Sequence, residues 1–221
     1  MIFLFSVIIP MAGSGSRAKT SMNKALVMIN GKPLFMYAYE LFKQFDCEII
    51  LVCKEDEIPI VKKYVDNNVI FALGGNTRAS SVYNGLLKAN YEYVLIHDAA
   101  RPFCTKVLIE RVLEMLKTKN ACYVGVPVKD TIRDINRDTI LHREDLIAAQ
   151  TPQACRVEDL KMAYEIGFNN NIEFTDDISA IEKYTNIDVG VVMGNDFNFK
   201  VTTPYDILLA DLIAKGEDFN D

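Results

Sequence analysis

The sequence predicts an α/β protein with a mostly parallel central sheet flanked by helices, and two observations support this fold class. Short apolar runs rich in Val and Ile alternate with amphipathic stretches of helical length. This alternation is typical of βα units whose parallel sheet is buried on both faces. The chain has 221 residues, half of them hydrophobic, which is enough for one domain with a sizeable core.

Each element follows from its own stretch of sequence. The apolar runs predicted to form strands are 3–9, 48–53, 69–73, 93–97, 122–128 and 188–193. The stretches predicted to form helices are 33–45, 57–66, 78–89, 106–118, 157–168, 176–184 and 204–214. The first apolar segment, Ile2 to Met11, is interrupted by Pro10 and has about half of the roughly 20 residues that a membrane span needs. We therefore expect a single Rossmann-like domain over 1–221 with no membrane segment.

Residues 130–143 break the alternation. They form two short predicted strands around Asn136 and Arg137 and carry too many charges for a core, so they are predicted to project as a β-hairpin arm. A projecting arm needs a surface to lie on, and the second subunit of a symmetric homodimer is the simplest one. A solvated surface hairpin is the alternative, and the residues alone leave it open.

Charge and cysteine content narrow the class of protein. Lys and Arg number 24 against 30 Asp and Glu, a net charge of −6, which suits a general nucleic-acid binder poorly. Residues 1–39 nevertheless hold four cationic residues and no Asp or Glu, which predicts a local anion site.

Five widely spaced cysteines without a C-x-x-C pair favour neither disulfides nor a thiolate zinc site and indicate the reducing cytoplasm. Two histidines are too few for a His-rich metal centre.

Residues 10–17 (PMAGSGSR) follow the first predicted strand and are the most informative stretch. Small residues let backbone N–H groups approach an anion closely. Gly13, Gly15 and Ala18 also satisfy G-x-G-x-x-A, so a dinucleotide-binding oxidoreductase is an alternative. That fold needs a helix starting at the glycines and an acidic residue about 20 positions later. Here the next predicted helix starts at Pro33 and the first acidic residue is Glu40, so the oxidoreductase is disfavoured.

Arg17 and Lys24 suit a loop that folds over a triphosphate. Arg forms a fork onto two phosphate oxygens, and Lys supplies a movable point charge. In nucleotidyl transfer the enzyme chiefly positions the reactants and stabilises the charge of the transition state, so no side-chain nucleophile is required. We expect Mg²⁺ to bind mainly through the triphosphate oxygens and to stay mostly hydrated. A noncatalytic nucleotide-sensing module is a further alternative.

Several segments together resemble the 2-C-methyl-D-erythritol 4-phosphate cytidylyltransferase family, in which CTP and a sugar-alcohol phosphate give a CDP-alcohol and pyrophosphate. The matching segments are 10–17 with Lys24, 74–82 (GGNTRASSV) with 84–86 (NGL), 97–102 (HDAARP), 126–131 (VPVKDT), 150–153 (QTPQ), 175–177 (TDD) and 198–204 (NFKVTTP). Each is weak by itself. Seven in the order of the family are strong, and they run over nearly the whole chain.

The resemblance implies a role for individual residues. It assigns catalysis to Arg17, Lys24, Arg143 and Lys200. It assigns the nucleotide to Ala12, Gly13, Gly15, Gly75, Asn76, Ser81, Asp98 and Ala99. It assigns the second substrate to Arg101, Thr131, Thr151 and Thr175. Thr131 and Arg143 stand at the two ends of the arm, which in the family reaches the active site of the partner subunit.

The sequence departs from the family pattern at a few positions. Asn23 stands where Pro usually precedes the loop lysine, Met11 replaces Ala, and Asn76 stands where an acidic residue is frequent. The arm is also short. A ribitol 5-phosphate cytidylyltransferase is the sibling alternative, because Phe103 and 201–206 (VTTPYD) are similar to that branch. Segments 175–177 and 81–85 (SVYNG) resemble the methylerythritol branch, which we favour.

Overall fold

The computed structural model describes residues 4–11 and 23–216. Its strands are β1 (Phe5–Pro10), β2 (Met28–Ile29), β3 (Lys32–Pro33), β4 (Cys47–Cys53), β5 (Ile70–Leu73), β6 (Tyr93–Ile96), β7 (Ala121–Pro127), β8 (Ile132–Asp134), β9 (Thr139–Leu141), β10 (Ile147–Arg156) and β11 (Val189–Met193). Its α-helices are α1 (Phe35–Phe42), α2 (Ile58–Val61), α3 (Arg78–Leu86), α4 (Lys106–Met115), α5 (Val157–Asn169), α6 (Asp177–Tyr184) and α7 (Pro204–Ala214). Short 3₁₀ turns lie at Lys24–Leu26, Arg143–Asp145 and Asp196–Asn198.

Seven of these strands form the central sheet, in the order β11-β7-β10-β6-β1-β4-β5. β1 pairs in parallel with β4 and β6, and β7 pairs in parallel with β11. β10 runs antiparallel between β6 and β7. The sheet is therefore mostly parallel, as the sequence predicts, with one antiparallel strand near its middle.

The sheet is buried on both faces, which explains why its strands are apolar without alternation. Along β1, Val7 and Ile9 point to the core under α1 and α4, whereas Ile8 points to the core under α3, α5 and α6. Successive side chains of a strand point to opposite faces, so both sets must be apolar. A smaller cluster joins Leu34 to Ala210 of α7.

The structure corrects three predicted elements. β10 was not predicted as a strand, because residues 150–153 consist of three polar residues and Pro152, and Pro has no backbone N–H to donate within a sheet. The pairing of β10 with β7 shifts register between Gln150 and Gln153. The helix predicted over 57–66 is only the single turn of α2, with Pro at its start. The helix predicted over 33–45 is shorter, since Pro33 belongs to β3.

The predicted arm is present as the β8–β9 hairpin, whose strands pair only with each other among the described residues. Its turn is held by Asp134, whose Oδ1 accepts hydrogen bonds from the backbone of Asn136 and Arg137 at 3.0 and 3.1 Å. Nearly all of its residues are exposed. Within 4–11 and 23–216, no helix is long and apolar enough to cross a membrane.

Candidate active site

A cleft of about 440 Å³ opens at the carboxyl ends of β1, β4, β5 and β6, the edge at which open α/β sheets bind ligands. The described residues that line it are Pro10, Met11, Asn23, Lys24, Ala25, Lys54, Gly75, Asn76, Thr77, Arg78, Ser81, Asp98, Ala99, Ala100, Lys200, Val201 and Thr202. They include four cationic side chains and one carboxylate. The cleft therefore favours an anionic ligand, at the place where the sequence predicts one.

Asp98 is the carboxylate of the cleft and follows β6 after His97. Its Oδ2 accepts a hydrogen bond from Lys200 Nζ at 2.8 Å, and its Oδ1 accepts one from Arg78 Nε at 3.2 Å. Burial alone would raise the pKa of this carboxyl, but the charges of Arg78 and Lys200 and the hydrogen bond from Lys200 hold the pKa well below its usual value. Asp98 is therefore ionised at neutral pH.

Arg78 opens α3 and was not singled out from the sequence. Its Nη1 and Nη2 donate to the two carboxylate oxygens of Asp177 at 2.9 and 2.8 Å. Asp177 is fully buried and also accepts a hydrogen bond from Tyr164 Oη at 2.5 Å. Burial would lower the pKa of Arg78, but Asp177 and Asp98 raise it well above its usual value. Arg78 thus connects the cleft to a buried carboxylate on α6.

One signal in the sequence does mark Arg78. A cation in the first turn of a helix is opposed by the helix dipole, and the first turn of α3 holds Arg78 with no acidic residue. Such a placement indicates a partner from elsewhere in the fold. Lys54 and Thr202 also line the cleft without having been predicted.

The loop before α3 is shaped by Gly75 and Ser81. Ser81 Oγ accepts a hydrogen bond from the Gly75 backbone at 3.0 Å and donates one to the Thr77 carbonyl at 2.9 Å. A Cβ on Gly75 would lie 2.7 Å from the Cβ of Ser80, closer than side chains tolerate. Only glycine fits there, and the buried Ser81 hydroxyl holds the loop in place. Asn76 is exposed at the cleft beside it.

Lys24 also lines the cleft and donates from Nζ to the Thr202 carbonyl at 2.5 Å. Asn23 precedes it, and its Nδ2 donates to the Met11 carbonyl at 2.8 Å. Its Oδ1 accepts a hydrogen bond from the Ala25 backbone at 3.0 Å. At the position where the family usually has Pro, Asn23 thus links the residue that follows β1 to the turn that carries Lys24.

The structure brings together Lys24, Gly75, Asn76, Ser81, Asp98, Ala99 and Lys200 among the residues predicted for the site. Arg101 and Thr151 are buried behind the cleft, and Thr175 is exposed before α6. The predicted residues Ala12, Gly13, Gly15 and Arg17 lie outside the described residues.

Thr131 and Arg143 are on the arm and do not line the cleft of their own chain. Both are exposed. Arg143 Nη1 donates to the Lys129 carbonyl at 3.0 Å, which holds the guanidinium at the base of the arm.

The fold and the cationic cleft at the carboxyl edge of its sheet define a nucleotide-binding α/β protein of the nucleotidyltransferase class. The chain belongs to the 2-C-methyl-D-erythritol 4-phosphate cytidylyltransferase family, whose model matches residues 5–216. The family resemblance predicted from the sequence is confirmed, and with it the nucleotidyltransferase class.

Relatives with this name match over nearly their whole length. The enzyme of Bacillus cytotoxicus is 38% identical over 219 residues, covering 94% of this chain and 96% of the relative. That of Clostridioides difficile is 38% identical over 226 residues, covering 97% and 95%. These matches favour the methylerythritol branch over the ribitol and oxidoreductase alternatives.

Solved structures agree with the described fold. The 4-diphosphocytidyl-2C-methyl-D-erythritol synthase of Anaerococcus prevotii superposes with a TM-score of 0.83 at 29% identity, covering 96% of this chain and 98% of that one. The 2-C-methyl-D-erythritol 4-phosphate cytidylyltransferase of Thermus thermophilus gives a TM-score of 0.80 at 28% identity, covering 96% and 100%.

Proposed function

We propose that the chain joins CTP and 2-C-methyl-D-erythritol 4-phosphate to give the CDP-alcohol and pyrophosphate. The observation that carries this proposal is the lining of one cleft by Lys24 and Lys200 together with the loop of Gly75 to Ser81. Family membership supports the substrate pair. The geometry supports an anionic nucleotide lying across the ends of β1, β4 and β5.

The cleft divides into a part suited to a base and a part suited to phosphates. We assign the cytosine to Gly75, Asn76 and Ser81, because the resemblance gives them this role and all three line the cleft. Asp98 and Ala99, at the end of β6, are assigned to the ribose. The triphosphate is then assigned to Lys24, together with Ala12, Gly13, Gly15 and Arg17, to which the resemblance gives this role.

The proposed reaction needs no nucleophilic side chain. An oxygen of the alcohol phosphate, anionic at neutral pH, attacks the α-phosphorus of CTP in line with the leaving group. A new P–O bond forms, the bond from the α-phosphorus to the bridging oxygen breaks, and pyrophosphate leaves with the electron pair. Lys24 and Arg17 stabilise the negative charge on the transferring phosphoryl group, which is the largest contribution that such a site makes. Arg101, Thr175 and Lys200 are assigned to the second substrate.

Mg²⁺ is proposed as the ion that accompanies CTP. The described residues contain no cluster of three His, Cys, Asp or Glu side chains that would hold a metal by themselves, whereas Asp98 offers one ionised carboxylate in the cleft. That donor set suits an ion held mainly by triphosphate oxygens and water. When bound, Mg²⁺ neutralises part of the phosphate charge; Asp98 is the residue that would face it.

We propose a homodimer in which the arm completes the site of the partner. The arm is exposed and carries apolar side chains on its surface: Ile135 is 89% exposed and Ile140 is 54% exposed. Such side chains on a two-stranded hairpin are typical of a surface that another subunit covers. Thr131 and Arg143 would then reach the partner's alcohol-phosphate site.

The cytoplasm is the proposed location. All five cysteines are free thiols, and four of them are buried. Free thiols are the usual state in a reducing compartment.

A pyrophosphate-release assay with CTP, Mg²⁺ and a panel of polyol phosphates tests the function. Release with methylerythritol phosphate and little with ribitol phosphate is expected. Release with ribitol phosphate alone would move the chain to the sibling activity. Binding of CTP without release from any polyol phosphate would indicate a sensing module, and saturable NAD(H) binding would indicate the oxidoreductase.

A further inference from the structure

His97 has no part in the proposed chemistry, yet it lies directly beneath the cleft. It is fully buried at the end of β6, next to Asp98. One ring nitrogen, Nε2, lies 3.2 Å from the Arg101 carbonyl oxygen, and the other, Nδ1, lies 3.2 Å from Thr151 Oγ1. Both nitrogens of the imidazole are therefore used by hydrogen bonds within the protein.

The Thr151 hydroxyl continues this chain of hydrogen bonds to Asp98. Its Oγ1 accepts a hydrogen bond from the Asp98 backbone N–H at 3.0 Å. Thr151 is 4% exposed and lies on β10, two strands away from β1 in the sheet order. The relay thus joins the Arg101 carbonyl, His97, Thr151 and the Asp98 backbone.

The direction of the hydrogen bonds in this relay follows from its carbonyl end. A carbonyl only accepts, so Nε2 must carry the proton that it donates to Arg101. In a neutral ring Nδ1 then has no proton and accepts from the Thr151 hydroxyl. The Thr151 oxygen in turn accepts from the Asp98 backbone N–H. One tautomer of a neutral ring therefore satisfies the whole relay.

A second set of hydrogen bonds ties the relay to the segment that carries Lys200. Arg101 Nη1 donates to the Asn198 carbonyl at 2.7 Å, and Asn198 Nδ2 donates to the Thr151 carbonyl at 2.9 Å. The Val201 backbone donates to the Ala100 carbonyl at 2.8 Å. The backbones that present Asp98 and Lys200 are consequently held as one unit.

A neutral ring suits this position for an electrostatic reason. The Asp98 carboxylate is already contacted by Arg78 and Lys200, with Arg101 Nε 3.9 Å from Oδ2. A charged imidazole would add a further buried cation beside them. The ring of Phe42 packs against the His97 ring, with 5.6 Å between centroids.

We infer that His97 and Thr151 are positioning residues that set the Asp98 backbone, and that Thr151 acts through Asp98 rather than by touching the second substrate. This inference rests on the proposed function, because Asp98 is assigned there to the CTP ribose and to Mg²⁺. It changes the role that family resemblance implies for Thr151. The relay pre-orders the site before ligand binds, which lowers the cost of binding.

The unmodified protein provides the first test. Long-range ¹H–¹⁵N spectra at pH 7 distinguish the tautomers of histidine, and a His142→Gln variant assigns the signals, because the chain has two histidines. A neutral ring with its proton on Nε2 is expected. A proton on Nδ1, or a charged ring, would overturn the inference whether or not the protein has the proposed activity.

Variants of Thr151 provide the second test, with CTP binding measured by calorimetry in the presence of Mg²⁺ and no alcohol. Thr151→Val leaves the Asp98 N–H and His97 Nδ1 without partners, and we expect the Kd for CTP to rise about tenfold. Thr151→Ser keeps the hydroxyl and should restore binding to within about twofold. Ser6→Ala is the matched control, because it removes a buried hydroxyl that bonds Glu48 at 2.7 Å at the far end of β1.

The two roles of Thr151 give opposite results. A raised KM for the alcohol phosphate with an unchanged Kd for CTP in Thr151→Val would return Thr151 to the second substrate and reject the relay. The relay is also rejected if Thr151→Val loses no more CTP affinity than Ser6→Ala does. Failure of the proposed function would give a different result: the wild type would show no turnover, while the CTP affinities of the wild type and the variants would be as expected above.

Discussion

Lys200 Nζ and Asp98 Oδ2 are 2.8 Å apart, although 102 residues separate them in the chain. This pair lies at the mouth of the cleft, with the lysine side chain 41% exposed and the carboxylate 10% exposed. Its geometry places a cation assigned to the second substrate beside a carboxylate assigned to the first. Under the proposed function, this pair would organise the junction of the two substrates before either binds.

Asp98→Asn is expected to lower kcat/KM about 10²-fold, because the amide keeps the shape of the side chain and removes the charge that Mg²⁺–CTP and Lys200 face. Steady-state kinetics with varied CTP measure this effect. An unchanged kcat/KM would remove Asp98 from the proposed site.

The lowered pKa of Asp98 also predicts how the stability difference between the wild type and Asp98→Asn depends on pH. The pKa of Asp98 is lowered in the folded protein, so its stabilisation is complete above the ordinary carboxyl pKa of about 4 and is lost as pH falls below that value. The Tm of the wild type should exceed that of Asp98→Asn at pH 7, and the difference should shrink between about pH 4 and pH 3. A difference that grows on acidification would contradict the ion-pair geometry.

Lys24→Ala and Arg17→Ala are each expected to lower kcat about 10²-fold or more, since each donor acts on the charge of the transition state. Lys32→Ala is the matched control. It belongs to the same acid-free stretch but pairs with Glu40 and lies over Tyr37, away from the cleft. Near-normal kcat in Lys24→Ala or Arg17→Ala would remove that residue from catalysis.

Arg78→Ala is expected to lower the free energy of unfolding by about 3 kcal/mol, because it leaves the buried Asp177 carboxylate without its bidentate partner. Chemical denaturation measures this loss. In the double variant Arg78→Ala, Asp177→Asn most of the loss should be recovered. Additive losses in the double variant would show that the two side chains do not interact.

Gly75→Ala is expected to weaken CTP binding about tenfold, because the new Cβ pushes Ser80 and the loop away from the base. Ser80→Ala alone is the control for altered capping of α3 and should change the Kd less. Ser80→Ala should also fail to rescue Gly75→Ala: it removes the Oγ that would lie nearest to the new Cβ, but the Ser80 Cβ would still lie 2.7 Å away. Equal Kd values for Gly75→Ala and wild type would place the base elsewhere.

Mixed dimers test the arm. Arg143→Ala and Lys24→Ala are each expected to be inactive alone, whereas an equal mixture should regain about a quarter of wild-type activity, because half of its dimers contain one intact site. Subunit exchange followed by the pyrophosphate assay measures this. No recovery in exchanged dimers would place Arg143 in the site of its own subunit.

The sheet could be predicted from the sequence because strands buried on both faces must be apolar throughout, as Val7, Ile8 and Ile9 show. β10 could not, because its central residues are polar and include Pro152, and their burial depends on neighbours in the fold. The motifs located the cleft through Gly75 and Asp98.

The partners of those residues were not predictable from sequence. Arg78 and Asp177 are 99 residues apart, and they form an ion pair because α5 packs against both α3 and α6. The direction of the Thr151 hydroxyl likewise depends on His97 and Asp98, which no spacing along the chain reveals.

The arm interrupts the connection between β7 and β10, which are antiparallel neighbours in the sheet. It is thus an elaborated hairpin loop, attached where the chain has to reverse in any case. Residues added or deleted at its tip would alter how far it extends from the body, with no change to the alignment of the strands that carry the cleft. Such an attachment separates the reach of the arm from the positions of the residues that line the cleft.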